Sequence, residues 1–169
     1  AGEYLKLCGE ISGLSGTELK SRIDELLTLV GLAKEKGRIG GYSRGMKQRL
    51  CVARALLHNP QLMVMDEPSS GLDTDARVEM KELLMNLRSM GKTIIISSHI
   101  LADISEMCNA IGIMNHGRLI NAGKMDPDQH SVLLFPYSGI RHKKSGKNKS
   151  QRQKRKCICH CLFLIILLF

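Results

Sequence analysis

Two acidic side chains stand together in LMVMDEPSSGLDTD (residues 62–75), where Asp66 and Glu67 follow four apolar residues and precede a proline. His99 closes a second apolar run, TIIISSH (93–99), and Ser43 and Gly45 lie in GYSRGMKQRL (41–50), ahead of a helix-period pattern. A carboxylate at a strand end can hold Mg²⁺, usually through water, beside phosphate oxygens. The next carboxylate points elsewhere and can orient or deprotonate an attacking water. An imidazole at a neighbouring strand end can donate a hydrogen bond to a terminal phosphate. The Ser43 hydroxyl, the Gly45 N–H and the free N–H groups of a first helical turn make an anion site at a positive dipole end. Phosphoryl transfer needs these parts, because its catalysis is mostly positioning and charge neutralisation. Each part alone has a plainer reading: a capped strand end, a solvated histidine, a capped helix. Their combination, interleaved with buried strands, carries the argument.

Helices and strands must position these groups. Residues 15–30 place Leu19, Ile23, Leu26, Leu27 and Val30 at helical spacing, with Ser15 and Glu18 as a capping box and Gly31 as a stop. A second helix is expected over 43–59, with Ser43 as N-cap and Pro60 beyond its end. Residues 62–65 read as a strand buried on both faces, as in a parallel sheet. Helix period returns from Asp73 to Met90, with Gly91 able to stop it, and 93–97 reads as a second buried strand. A short helix over about 100–108 and a hairpin, 110–114 and 118–121, follow. This alternation predicts an α/β class with a mostly parallel sheet. In such a sheet ligands bind beyond the carboxyl ends of the strands, the edge to which Asp66, Glu67 and His99 would be delivered.

Charge divides the chain. Residues 1–130 hold 16 Lys/Arg and 16 Asp/Glu, whereas 131–169 hold 9 Lys/Arg and no acid, so the net +9 lies wholly in the tail. The basic run RHKKSGKNKSQRQKRK (141–156) cannot build a core and is expected to be disordered. Nine tail cations could bind phosphate backbones, but without interleaved aromatics no specific nucleic-acid partner is expected. CICHCLFLIILLF (157–169) is abruptly apolar, and its 13 residues fall short of a membrane-spanning helix. Two readings of this tail stand: a foreign segment from a shifted frame or read-through, and a basic-plus-apolar membrane anchor. The crowded CxCHC spacing does not suit a zinc site. Cys8, Cys51 and Cys108 stand apart near apolar stripes, as free thiols in a reducing cytosol do.

In order and spacing the motifs resemble the ATP-binding subunits of ABC transporters, of the drug- and lipid-exporter kind. Tyr42-Ser43-Arg44-Gly45-Met46 looks like that family's signature loop, LMVMDE its Walker B strand, Ser70-Gly71-Leu72-Asp73 its D-loop and His99 its switch histidine. GRLINAG (117–123) matches the hairpin that often follows, so the resemblance covers about residues 1–124. Tyr42, Arg44 and Met46 depart from the commonest signature, LSGGQ, but the serine and second glycine remain. The resemblance implies a P-loop NTPase-like fold, incomplete here: a helical subdomain over about 1–58, a sheet part over about 60–125, and a tail over 126–169. It implies ATP and Mg²⁺ as cofactors, Glu67 and His99 as catalytic residues and Asp66 as the Mg²⁺ ligand. Ser43, Arg44, Gly45, Met46 and Asp73 would bind ATP. It also implies a membrane-spanning partner and a second ATPase subunit in a head-to-tail dimer, at the cytoplasmic face of the cell membrane. Related ATPases that act in solution on ribosomes or DNA are the alternative, and a non-catalytic basic binding protein is a third reading.

The phosphate cradle is missing. A P-loop needs GxxxxGK[ST] between strand and helix. The only GKT is Gly91-Lys92-Thr93, its first glycine would fall on Asn86, and it runs from helix into strand. The chain therefore reads as the rear portion of the domain, with negligible ATPase activity by itself. An apolar sheet edge and face are expected to stand open.

Overall fold

The computed structural model describes residues 1–100, 106–115, 117–126, 131–136 and 162–167. The chain divides into two compact units, one formed by 1–64 and 68–94, the other by 65–67 and 95–168.

The first unit is helical. Helix α1 (Gly2–Ile11) packs on α2 (Gly16–Leu29), both meet α3 (Arg44–Ala55), and α3 meets α4 (Thr74–Ser89). The apolar stripe expected for α2 is the one buried, through Leu19, Ile23 and Leu26. The α4 stripe buries Ala76, Met80, Leu83, Leu84 and Leu87. Long arginines tie the helices where backbone carbonyls lack intrahelical partners. Arg22 donates to the Leu56 carbonyl at the end of α3 (3.0 Å), and Arg49 to the Val30 carbonyl at the end of α2 (3.1 Å). Arg49 also reaches Glu79 on α4 at 3.1 Å.

Helix ends follow the sequence with two exceptions, at Ser15 and at the end of α3, which stops at Ala55 rather than at the expected 59. Ser43 caps α3 by accepting from the Met46 N–H (3.1 Å), and Asp73 caps α4 by accepting from the Ala76 N–H (2.8 Å). Gly91, at φ 77°, lets the Lys92 N–H reach back to the Leu87 carbonyl, a Schellman stop. The GKT triplet is thus a helix terminator. Ser15 makes no side-chain cap bond, because the chain turns into α2 through Gly16 at φ 71° and carries the hydroxyl away from the first turn.

Strand β1 (Leu62–Asp66) departs from its expected burial: Met63 is buried, but Leu62 is 52% and Val64 70% exposed. An uninterrupted apolar run says that two faces can be buried, but only non-local neighbours decide whether both are. Strand β2 (Thr93–Ser97) is the better-covered one, with Ile94 and Ile96 at 0% exposure.

The second unit holds the ends of β1 and β2 together with β3 (Ala110–Asn115), β4 (Arg118–Asp126), β5 (Ser131–Pro136) and β6 (Leu162–Leu167). The strand order is β1-β2-β6-β3-β4-β5. The Thr93 N–H bonds the Gln61 carbonyl and the Glu67 N–H bonds the Ser97 carbonyl, so β1 and β2 run parallel. The pairs β3–β4, β4–β5 and β3–β6 are antiparallel, so parallel pairing is not the dominant pattern that the sequence suggested. The expected hairpin forms as β3–β4, with a register irregularity between Ile113 and Met114. Strand β4 extends beyond the expected 118–121 to Asp126 and pairs with β5, and β6 arises from the apolar tail. Of the short helix expected over 100–108, Glu106 and Met107 are helical and 101–105 lie outside the described residues. The basic run 141–156 also lies outside them.

Candidate functional site

In the second unit two parallel strand ends bring Asp66, Glu67 and His99 together, with Ser97 as the joint between them. The Glu67 N–H lies 3.1 Å from the Ser97 carbonyl and 3.0 Å from its hydroxyl oxygen. The Ser97 hydroxyl donates in turn to the Asp66 carboxylate. One side chain, itself only 4% exposed, thereby fixes the direction in which both acids leave the strand. His99 Nδ1 lies 2.7 and 2.8 Å from the two Glu67 carboxylate oxygens. With Nδ1 donating to the carboxylate, Nε2 is the ring nitrogen left to face a ligand.

Glu67 has φ 48°, a left-handed conformation that costs a side chain about 1–2 kcal/mol. The turn it makes, immediately past the end of β1, swings its carboxylate onto His99 rather than continuing the strand. Strain held at a position with a specific polar partner is the usual companion of a functional site. Glu67→Gly is therefore expected to leave the melting temperature unchanged or raise it by a few degrees, since relief of strain offsets the loss of one partly exposed side-chain hydrogen bond worth about 1 kcal/mol. A drop of more than a few degrees on thermal unfolding would show that the turn is not strained.

Asp66 is exposed, and one of its oxygens accepts from Ser97. The remaining lone pairs of a single carboxylate suit Mg²⁺, which keeps most of its waters and takes one or two protein carboxylates beside phosphate oxygens. Among the described residues no group of three or more His, Cys, Asp or Glu is placed to hold a metal ion.

The remaining candidates belong to the first unit. Ser43, Arg44, Gly45 and Met46 open α3, and Asp73 opens α4. Gly45 is buried, and a Cβ built on it would lie 2.6 Å from the Ala76 Cβ, so the close approach it permits is to α4. Gly71 is at φ 66°, and a Cβ there would run into the Arg44 guanidinium. The glycines thus bring the turn before α4 against the N-terminal end of α3. The Ser43 hydroxyl spends one lone pair on its own helix and stays exposed.

Sequence reasoning named every acid and the histidine of the first group but missed Ser97, which it took as the last residue of a strand. The Ser-Ser doublet (97–98) before His99 was the available signal, since a hydroxyl ending a buried strand needs a polar partner.

Residues 4–70, which include the loop at 42–46 and the pair Asp66–Glu67, match a family model described as ABC transporter. YxlF of Bacillus subtilis, an uncharacterized ABC transporter ATP-binding protein, is 41% identical over 150 residues, covering 86% of this chain and 50% of the relative. The bacitracin transport ATP-binding protein BcrA of Bacillus licheniformis is 47% identical over 107 residues, covering 62% of this chain and 35% of the relative. Among solved structures, one described as the ATP binding subunit of an ABC transporter is 32% identical with a TM-score of 0.60, over 74% of this chain and 52% of that one. The chain belongs to the ABC transporter ATP-binding family. It spans half or less of the length of these curated relatives. Within the ABC family match, the loop at 42–46 and the pair Asp66–Glu67 fall inside the matched segment, and His99 follows it.

Proposed function

We propose that this chain supplies ATP-binding and hydrolysing elements of an ABC transporter of the export type. The observation that carries the reading is the Asp66–Ser97 and Glu67–His99 bonding at the ends of two parallel strands. Export is supported by relatives named for bacitracin transport, linearmycin resistance and Nod factor export.

In this reading Asp66 would hold Mg²⁺, and the ion would supply positive charge that neutralises the phosphates. Glu67 accepts a proton from the attacking water as the water oxygen forms its bond to the γ-phosphorus and the bond to the bridging oxygen breaks, leaving ADP. His99, held by Glu67 through Nδ1, turns Nε2 toward the terminal phosphate. Ser43, Arg44, Gly45 and Met46, with Asp73, complete a nucleotide site on a second ATPase subunit, and a membrane-spanning partner takes up the work at the cytoplasmic face. The third part of such a site, a GxxxxGK[ST] cradle, is not among these 169 residues and has to come from elsewhere in the assembly.

The test is a mixing experiment. The chain alone is expected to show no ATP turnover above background. Added to a complete ABC ATPase subunit whose own signature serine has been replaced, it is expected to raise turnover at least about tenfold, because positioned donors around a transferring phosphate contribute on the order of 10²-fold each. Ser43→Arg should abolish the gain. Turnover by the chain alone that disappears in Glu67→Gln would overturn the reading, and so would a gain that Ser43→Arg leaves intact.

A further inference from the structure

One cavity lies wholly within the first unit and shares no residue with the nucleotide candidates. Its volume is about 620 Å³, and its walls are α2, the ends of α3 and α4, and Asn59 and Lys92, which follow those two helices. Leu26, Leu29, Leu56, Leu87 and Met90 supply the apolar lining. Leu26, Leu56 and Leu87 are at most 2% exposed and make the floor, whereas Met90 is exposed at the mouth. Arg22 on α2 donates to the Leu56 carbonyl and so ties two of the walls together. A concave apolar lining with a few fixed polar groups suits a small organic molecule.

The polar groups give the cavity its sign. Lys92 lines it and is only 6% exposed. Lysine is almost never buried to this degree without a counter-charge, because its ammonium gives up hydration. Among the described residues Lys92 forms no ion pair. Its partners are the Asn59 Oδ1 (2.6 Å) and the Asn59 carbonyl (3.5 Å), both neutral, for an ammonium with three donors. Arg22 is a second cation in the lining. It reaches the Leu56 carbonyl at 3.0 Å and Glu25 at 3.6 Å, but its Nε is buried with no hydrogen-bond partner among the described residues. The two acids of the lining, Asp24 and Glu25, are exposed, so water screens them while Lys92 stays dry. The carbonyl ends of α3 and α4 offset part of the positive charge but supply no anion.

We propose that this cavity binds an organic anion with an apolar body, of the class of medium-chain carboxylates. The carboxylate pairs with Lys92 Nζ and supplies the counter-charge that the chain itself does not. The hydrocarbon body lies on Leu26, Leu56 and Leu87 and displaces water from them. The inference goes beyond the ATPase reading and does not rest on it, since none of these residues belongs to the nucleotide or Mg²⁺ candidates.

The experiment titrates the full chain with decanoate, below its micelle-forming concentration, and follows heat together with methionine methyl resonances. Saturable binding is expected, with a shift of the Met90 methyl, and decan-1-ol should bind at least about tenfold more weakly. Lys92→Met keeps the bulk of the side chain without its charge. It should lose at least about tenfold in decanoate affinity and leave decan-1-ol unchanged. Asn59→Asp gives Lys92 a carboxylate of its own and should cause a comparable loss, which decides the matter if Lys92→Met does not fold. Equal affinity for decanoate and decan-1-ol would overturn the proposal, as would undiminished decanoate affinity in either folded variant. Absence of saturable binding would overturn it as well. So would binding that leaves the Met90 methyl unmoved, which would put the anion on cations elsewhere in the chain.

Discussion

Ser97→Ala is expected to destabilise the second unit by about 2 kcal/mol, with Ser97→Thr retaining most of that stability. Three bonds meet at this residue: its hydroxyl donates to Asp66, and its hydroxyl oxygen and carbonyl both face the Glu67 N–H. Alanine leaves only the carbonyl. The donor to a carboxylate is the costlier loss, since hydrogen bonds to charged groups are worth about 1.5–3 kcal/mol, and the exposure of Asp66 moves the value toward the lower end. The Glu67 N–H keeps one acceptor and adds little. Threonine carries the same hydroxyl and suits a strand, but its extra methyl meets a site that is 4% open, which sets the small residual loss. Chemical denaturation followed by hydrogen exchange at 93–97 checks the value, and the Glu67–His99 contact should loosen in the same variant. An unchanged midpoint would mean that the acids hold their directions without Ser97.

What could be read beforehand follows the range of the interactions. Helices α2, α3 and α4 were legible because a 3.6-residue stripe and a capping side chain are local properties; Ser43 caps α3 as expected, while Asp73, read only as the start of a helical pattern, turns out to cap α4. The delivery of Asp66, Glu67 and His99 to one sheet edge was legible because two neighbouring parallel strands expose equivalent ends. Other features were not. The exposed side of β1, at Leu62 and Val64, depends on what lies across from it. The left-handed turn at Glu67 is imposed by partners on another strand, since nothing about glutamate favours φ 48°. The places of β5 and β6 depend on long-range pairing, and a tail with abrupt changes of composition gave no turn signals from which a register could be counted. Lys92 is a smaller case: a lysine after a helix stop reads as solvated, yet it is 6% exposed and donates to Asn59 Oδ1 at 2.6 Å.

Gly45→Val is expected to cost the first unit about 2–3 kcal/mol, the larger part from overpacking. The Ala76 Cβ stands 2.6 Å from where even a methyl at Gly45 would lie, and Ala76 is anchored in the first turn of α4 by the Asp73 cap. No rotamer change can relieve the contact, because the colliding atom has none; the α3 and α4 ends have to move apart. That movement would pull Arg44 from its place against Gly71 and strain the Arg49–Glu79 bridge between the same helices. The contrast with Gly71 is instructive. A side chain there meets the far end of a flexible arginine, which can swing away, so the cost at Gly71 comes mainly from its φ of 66°. The prediction is specific enough for a double-mutant cycle. Ala76→Gly alone should cost about 0.5–1 kcal/mol as a helix glycine, yet in the Gly45→Val background it should restore stability. A coupling energy of at least about 1 kcal/mol with that sign, from thermal or urea unfolding, would establish that the glycine of the loop at 42–46 is held small by α4. Additive losses would show instead that the two helix ends separate freely, leaving Gly45 to be explained by what approaches the loop from outside.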